Sequence, residues 1–125
     1  MKTSLNALHH QTMDCLREME FYKQELTILQ NRLEEVASKN TSKDVMVQVE
    51  HFQNKFIMTK EQLDILVHDL NAEENNIERK VVELPHHVHQ KIVDIDTKIK
   101  DRFKDFTTGF ADMRLEFNSF LSKTF

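Results

Sequence analysis

Histidine is the residue with the most chemical potential in this 125-residue sequence, which contains seven. Five of them, His9, His10, His86, His87 and His89, lie either near the chain start or just after its one proline, Pro85. Neutral imidazole is a common ligand for divalent transition metals, and two ligands reach one ion when helical spacing of three or four residues puts them on one face. His10 and Asp14 are four apart, and His86 and His89 are three apart. The sequence therefore offers His10, Asp14, His86 and His89 as a candidate site for zinc or another divalent transition metal. His9 stands beside them, and Glu74 and Glu78 are further oxygen donors. A helix N-terminus opposes protonation of His86 and His87 and keeps them in the neutral form that ligates. The alternative is a solvated, histidine-rich end that holds nothing, because these residues flank the apolar stripes rather than occupy them.

Other chemistries find less support. A di-iron bundle of the ferritin type needs Glu-x-x-His pairs on two helices, whereas Glu50 and His51 are adjacent. Hemerythrin-like oxygen carriage fails on the same ground. His51 and His68 fall at outward positions, where His68 is expected to meet Asp14 or Asp101 in a surface ion pair. Cys15 is the single cysteine and stands at an apolar helical position, so it is expected to pack as a small hydrophobe. Phosphate cradles, dinucleotide folds and nucleophile turns require Gly-rich loops or strands, and the chain has one glycine, Gly109. Without a preorganised pair of titrating groups the sequence reads as non-enzymatic, with no catalytic and no cofactor-binding residues.

Charge narrows the partners. The 21 acidic and 17 basic side chains leave a net charge of −4 and are interspersed, so no basic patch offers itself to nucleic acid. No window approaches the roughly 18 consecutive apolar residues of a membrane span. Met1 to Leu5 lack the apolar stretch of a secretion signal, and a cytoplasmic protein is expected.

The elements that must position these side chains follow from periodicity. With only Gly109 and Pro85 as breakers, apolar residues recur every three or four positions almost from end to end, the pattern of long amphipathic helices. The first helix is predicted over about 4–39, capped by Ser4, with the seam Leu5, Leu8, Thr12, Cys15, Met19, Tyr22, Leu26, Leu29, Leu33 and Val36. Phe21 and Ile28, just off that seam, predict a wider buried stripe. Asn40, Thr41 and Ser42 predict a turn, with Thr41 or Ser42 capping a second helix over about 43–84. Its seam is Val45, Val49, Phe52, Phe56, Thr59, Leu63, Leu66 and Leu70, resuming at Ile77, Val81 and Leu84 after a polar patch at 71–76 that is expected to stay helical. Pro85 predicts a boundary and a third helix over about 85–122, with the seam Val88, Ile92, Ile95, Ile99, Phe103, Phe106, Phe110, Met113, Phe117 and Phe120. The phenylalanine stripe also fits a membrane interface or an apolar ligand, but matching seams on two other helices assign it to a core. Gly109 predicts a kink, a close helix crossing or, as the alternative, a fourth helix. Short connections make the rods antiparallel, so the expected fold is all-α, a single elongated up-down-up three-helix bundle over 1–125. All five clustered imidazoles then lie at one end.

Three segments, Phe21-Tyr22-Lys23-Gln24-Glu25-Leu26, Asn31-Arg32-Leu33-Glu34-Glu35-Val36 and Val49-Glu50-His51-Phe52-Gln53-Asn54-Lys55-Phe56, resemble small helical-bundle proteins of Bacteroidetes-type bacteria. The resemblance covers the first two helices. It implies a bacterial cytoplasmic protein of this size and brings no activity and no functional residues. The resulting expectation is a bundle that acts through protein contacts or as a structural or stress-related component, with metal binding as the alternative. Its partner is another protein or itself, since a slender bundle leaves apolar surface that a homodimer would cover.

Overall fold

The computed structural model describes the backbone of residues 2–83 and 88–125, and the side chains of 7–75, 94 and 97–125. The described residues form three helices: α1 (Lys2–Lys39), α2 (Lys43–Glu83) and α3 (Val88–Thr124). At 1.5 Å per residue they are rods of roughly 55 to 60 Å. α2 runs opposite to both neighbours. His9 of α1 meets Glu74 of α2, while Leu33 and Val36 share a cluster with Val49. Along α2 and α3, Lys55 reaches Glu116, Thr59 reaches Met113 and Asp69 meets Arg102. α1 and α3 are therefore parallel, and they approach each other less closely than either approaches α2.

Among the described residues the core is formed by the seams read from the sequence, while the seam positions Leu5, Ile77, Val81, Leu84, Val88, Ile92 and Ile95 lie outside them. Leu8, Thr12, Cys15, Met19, Leu26, Leu29, Leu33 and Val36 of α1 are buried, as are Val49, Phe52, Phe56, Leu63, Leu66 and Leu70 of α2. α3 contributes Ile99, Phe110, Met113 and Phe117. Two clusters result. One, built on Leu8, Cys15, Met19, Leu63, Leu66, Leu70 and Ile99, fills the half nearer the start of α1. The other is aromatic and fills the half nearer the first turn. There Phe117 packs edge-on against Phe52 and Phe56 with ring centroids 5.2 and 5.3 Å apart. Tyr22 and Phe106 touch both clusters and join them. Phe103, Phe106 and Phe120 are half-buried against this core, so the phenylalanine stripe is interior packing. No helix, among the described residues, is long and apolar enough to cross a membrane.

The first reversal is the short turn that its side chains predict. Asn40 Oδ1 accepts a hydrogen bond from the Ser42 amide at 3.1 Å, and Ser42 Oγ accepts one from the Val45 amide at 3.4 Å. Ser42 is thus the cap of α2, and Asp44 follows in its first turn, where a carboxylate suits the helix dipole.

Several expectations need correction. α1 begins at Lys2, so Ser4 lies within the helix rather than at its cap, and α3 continues to Thr124. The boundary expected at Pro85 falls outside the described residues. As expected, α2 is continuous through 71–76; α3 is also unbroken at Gly109, so the described residues form the three helices expected and not the alternative with a fourth. A Cβ built on Gly109 meets nothing within 4 Å, so no helix crosses closely there. Phe21 and Ile28 do not widen the core: they are 60% and 58% exposed. A seam that alternates steps of three and four fills one narrow stripe, and these side chains fall about 130° from its centre.

Candidate functional site

At the histidine-rich end, His10 and Asp14 both lie on the exposed side of α1. Asp14 is engaged by Arg17 at 3.3 Å, one turn away. The contact that crosses between helices belongs to His9, whose Nδ1 meets the Glu74 carboxylate; the His9 and His10 rings are 5.9 Å apart. Glu74 is one of the oxygen donors anticipated for this end, but it comes to His9 rather than to the His10–Asp14 pair. His86 and the side chain of His89 lie outside the described residues. Among the described residues no three metal-ligating side chains converge.

Away from that end, charged groups tie helices together. Glu116 on α3 accepts from Lys55 Nζ at 2.7 Å and lies 3.0 Å from His51 Nε2. Lys55 first, and then His51, hold its carboxyl below the usual glutamate value. Asp69 meets Arg102 at 2.9 Å and His68 at 3.4 Å, and Arg102 is the main reason that its carboxyl is also held low. His68 therefore pairs with the residue next to it on α2, not with Asp14 or Asp101. Cys15 is buried, and burial, helped by the nearby Glu18 and Asp14, pushes its thiol up and away from the reactive thiolate.

The feature that periodicity alone did not place is the side of the bundle where α1 and α3 meet. Arg32, Glu35, Val36 and Lys39 of α1 and Asn118, Leu121, Ser122 and Phe125 of α3 line a groove there of about 540 Å³. Stepping back along α1 from Lys39 by alternating fours and threes gives Glu35, Arg32, Ile28, Glu25, Phe21 and Glu18, a second stripe on the same edge. On α3 the matching stripe is Ala111, Leu115, Asn118, Ser122 and Phe125. Phe21, Ile28, Leu115 and Phe125 are 60%, 58%, 68% and 71% exposed, so this one side carries four large apolar side chains in water. Exposed apolar residues also stand on α2: Val47, Met58 and Ile65 are interleaved with His51, Asn54, Glu61 and His68, and Met46 and Ile57 line a second groove of about 430 Å³ against α1. The signal in the sequence was the seven-residue spacing of Phe21 and Ile28, a second repeat beside the first.

Beneath the face lies an ion pair between Glu25 and Arg114, with the Glu25 side chain 17% exposed. Glu25 Oε2 is buried without a hydrogen-bond partner. Tyr22, one turn back, packs its ring at a tilt against Phe110 with centroids 4.8 Å apart. Burial and then Glu18 raise its hydroxyl's titration, with Arg114 pulling the other way. No family model, no curated protein and no solved structure matches this chain.

Proposed function

We propose that this chain is a non-enzymatic bundle of the bacterial cytoplasm that acts through protein contacts, and that the α1/α3 side is its contact face. The observation that carries this reading is the line of exposed Phe21, Ile28, Leu115 and Phe125 on the side where two parallel helices meet, which ends in a groove that Phe125 lines. Exposed apolar residues that share a grooved patch mark interaction sites, whereas scattered ones need no explanation. A photo-crosslinking residue at Leu115, in cells that express the protein naturally, is expected to give covalent adducts with protein. The same residue at Glu61, on the outer side of α2, is expected to give few. Equal yields at the two positions would sink the reading.

A second reading rests on the His9–Glu74 contact, which brings an imidazole and a carboxylate from two helices together at the histidine-rich end. There zinc or another divalent transition metal would be held by His9 or His10 with Glu74, joined by Asp14, His86 and His89. Elemental analysis of untagged protein after zinc loading tests it. Near-stoichiometric metal supports the site, and less than about a tenth of an equivalent removes it.

A further inference from the structure

We infer that the α1/α3 face is closed by a second copy of this chain, paired antiparallel about a two-fold axis that passes by Ile28 and Leu115. This rests on the contact-face reading above and names its occupant. Glu25 pairs with Arg114, Tyr22 packs against Phe110, and Lys39 and Phe125 line one end of the groove, so Ile28 lies about level with Leu115 on the parallel neighbour. A two-fold axis lying in the face and across the rods sets α1 against α1 and α3 against α3, each antiparallel. Placed at this level, the axis covers the exposed Ile28 and Leu115 side chains with their own counterparts.

Shape agrees with that register. The groove lined by Arg32, Glu35, Val36 and Lys39 lies about seven residues beyond Ile28, roughly 10 Å along the rod. Phe21 lies seven residues before Ile28 on the same stripe. Rotation about the axis therefore seats Phe21 of each copy over the groove of the other, beside Phe125.

Charge agrees as well. Along the α1 stripe the acidic Glu18 and Glu25 precede Ile28, and the basic Arg32 and Lys39 follow it. The antiparallel register puts Glu18 opposite Lys39 of the second copy and Glu25 level with Arg32. Glu35, which lines the groove, comes level with Phe21 of the second copy. A parallel pairing would instead set α1 against the uncharged stripe Ala111, Leu115, Asn118, Ser122 and Phe125. From Glu18 to Lys39 the face is about 30 Å long and, across two helices about 9 Å apart, about 20 Å wide. That is roughly 600 Å² before side-chain relief, close to the roughly 800 Å² per partner of a stable interface.

The test is the mass of the full chain in solution. Sedimentation equilibrium is expected to give twice the 14.9 kDa chain mass for the wild type. Ile28→Glu and Leu115→Glu, which put like charges on the axis at exposed positions, are expected to give the single-chain mass with unchanged helical circular dichroism. Glu18→Lys or Lys39→Glu alone should weaken the dimer roughly three- to tenfold, since the change acts at two symmetric contacts, and the double swap should restore it. Spin labels at Lys39→Cys in a Cys15→Ala background should lie about 30 Å apart across the dimer. A wild type that stays single at the highest soluble concentration overturns the inference. So does a dimer that survives both glutamate substitutions, or labels within about 15 Å. Leu115 adducts to a different protein, with a monomeric wild type, overturn the second copy and leave the contact face standing.

Discussion

Glu25 and Arg114 show how a single residue pair can be worth more in its loss than in its presence. One carboxylate oxygen of Glu25 is buried without a hydrogen-bond partner, and the Arg114 guanidinium is what compensates its charge. Arg114→Met should therefore destabilise the chain by about 1–3 kcal/mol in urea unfolding, because a partly buried charge is left alone. Adding Glu25→Met should recover most of that loss, since apolar side chains of similar volume fill the site without a charge to compensate. Glu116 is a milder case. Its folded-state carboxyl titrates below the usual glutamate value of about 4.3, so its contribution is complete above that pH and is lost as pH falls through the lowered value. Because Glu116 is 45% exposed, water screens the effect to a few tenths of a kcal/mol. Thermal unfolding of Glu116→Gln against wild type should show that small deficit at neutral pH, shrinking as the pH falls through the lowered value. At this scale the sequence located His51 and His68 on the outside, but not their partners. Which carboxylate a surface histidine meets depends on the rotation and level of the neighbouring helix.

At the scale of the element, the helices were legible because the residues that build them act locally. Steps of three and four from Leu8 to Val36 and from Val49 to Leu70 need no knowledge of neighbours, and the buried residues are those of the seams. The polar patch at 71–76 holds no glycine or proline, and α2 passes through it. Gly109 was harder to read. A glycine within a helical pattern marks a kink, a crossing or nothing, and only the surroundings decide. Here α3 is unbroken, the glycine has no positive φ, and open space stands where a Cβ would go. Gly109→Ala should therefore stabilise the protein by up to about 1 kcal/mol and raise the melting temperature by a few degrees. A fall in melting temperature by differential scanning calorimetry would mean that the glycine has a role which this geometry lacks.

For the whole molecule, slenderness governs. The chain exposes 8527 Å², against about 7,000 Å² for a compact monomer of its 14.9 kDa mass. The excess is not spread evenly, because α1 and α3 close on each other less than either closes on α2. Nor is the core uniform. The half holding Phe52, Phe56, Phe110 and Phe117 buries large rings, whereas the other half relies on aliphatic side chains, a thiol and a methionine. Amide exchange should be slowest in Leu26–Val36, Val49–Phe56 and Phe110–Phe117, and faster in Leu8–Cys15 and Leu63–Leu70. Uniform protection along α1 would show that Tyr22 and Phe106 couple the two clusters into one unit.

The sequence by itself determined three amphipathic rods, their seams and the first reversal, since each depends on neighbours within a turn or two: Ser42 caps α2 with its own side chain, and Phe52, Phe56 and Phe117 are apolar at helical spacing. Tertiary structure alone decided how those rods rotate and slide against one another. That rotation turned Phe21 and Ile28 from expected core into exposed face, brought His9 rather than His10 to Glu74, and aligned Ile28 with Leu115. Side-chain spacing fixes angles around one axis, and the relation between axes comes only from packing.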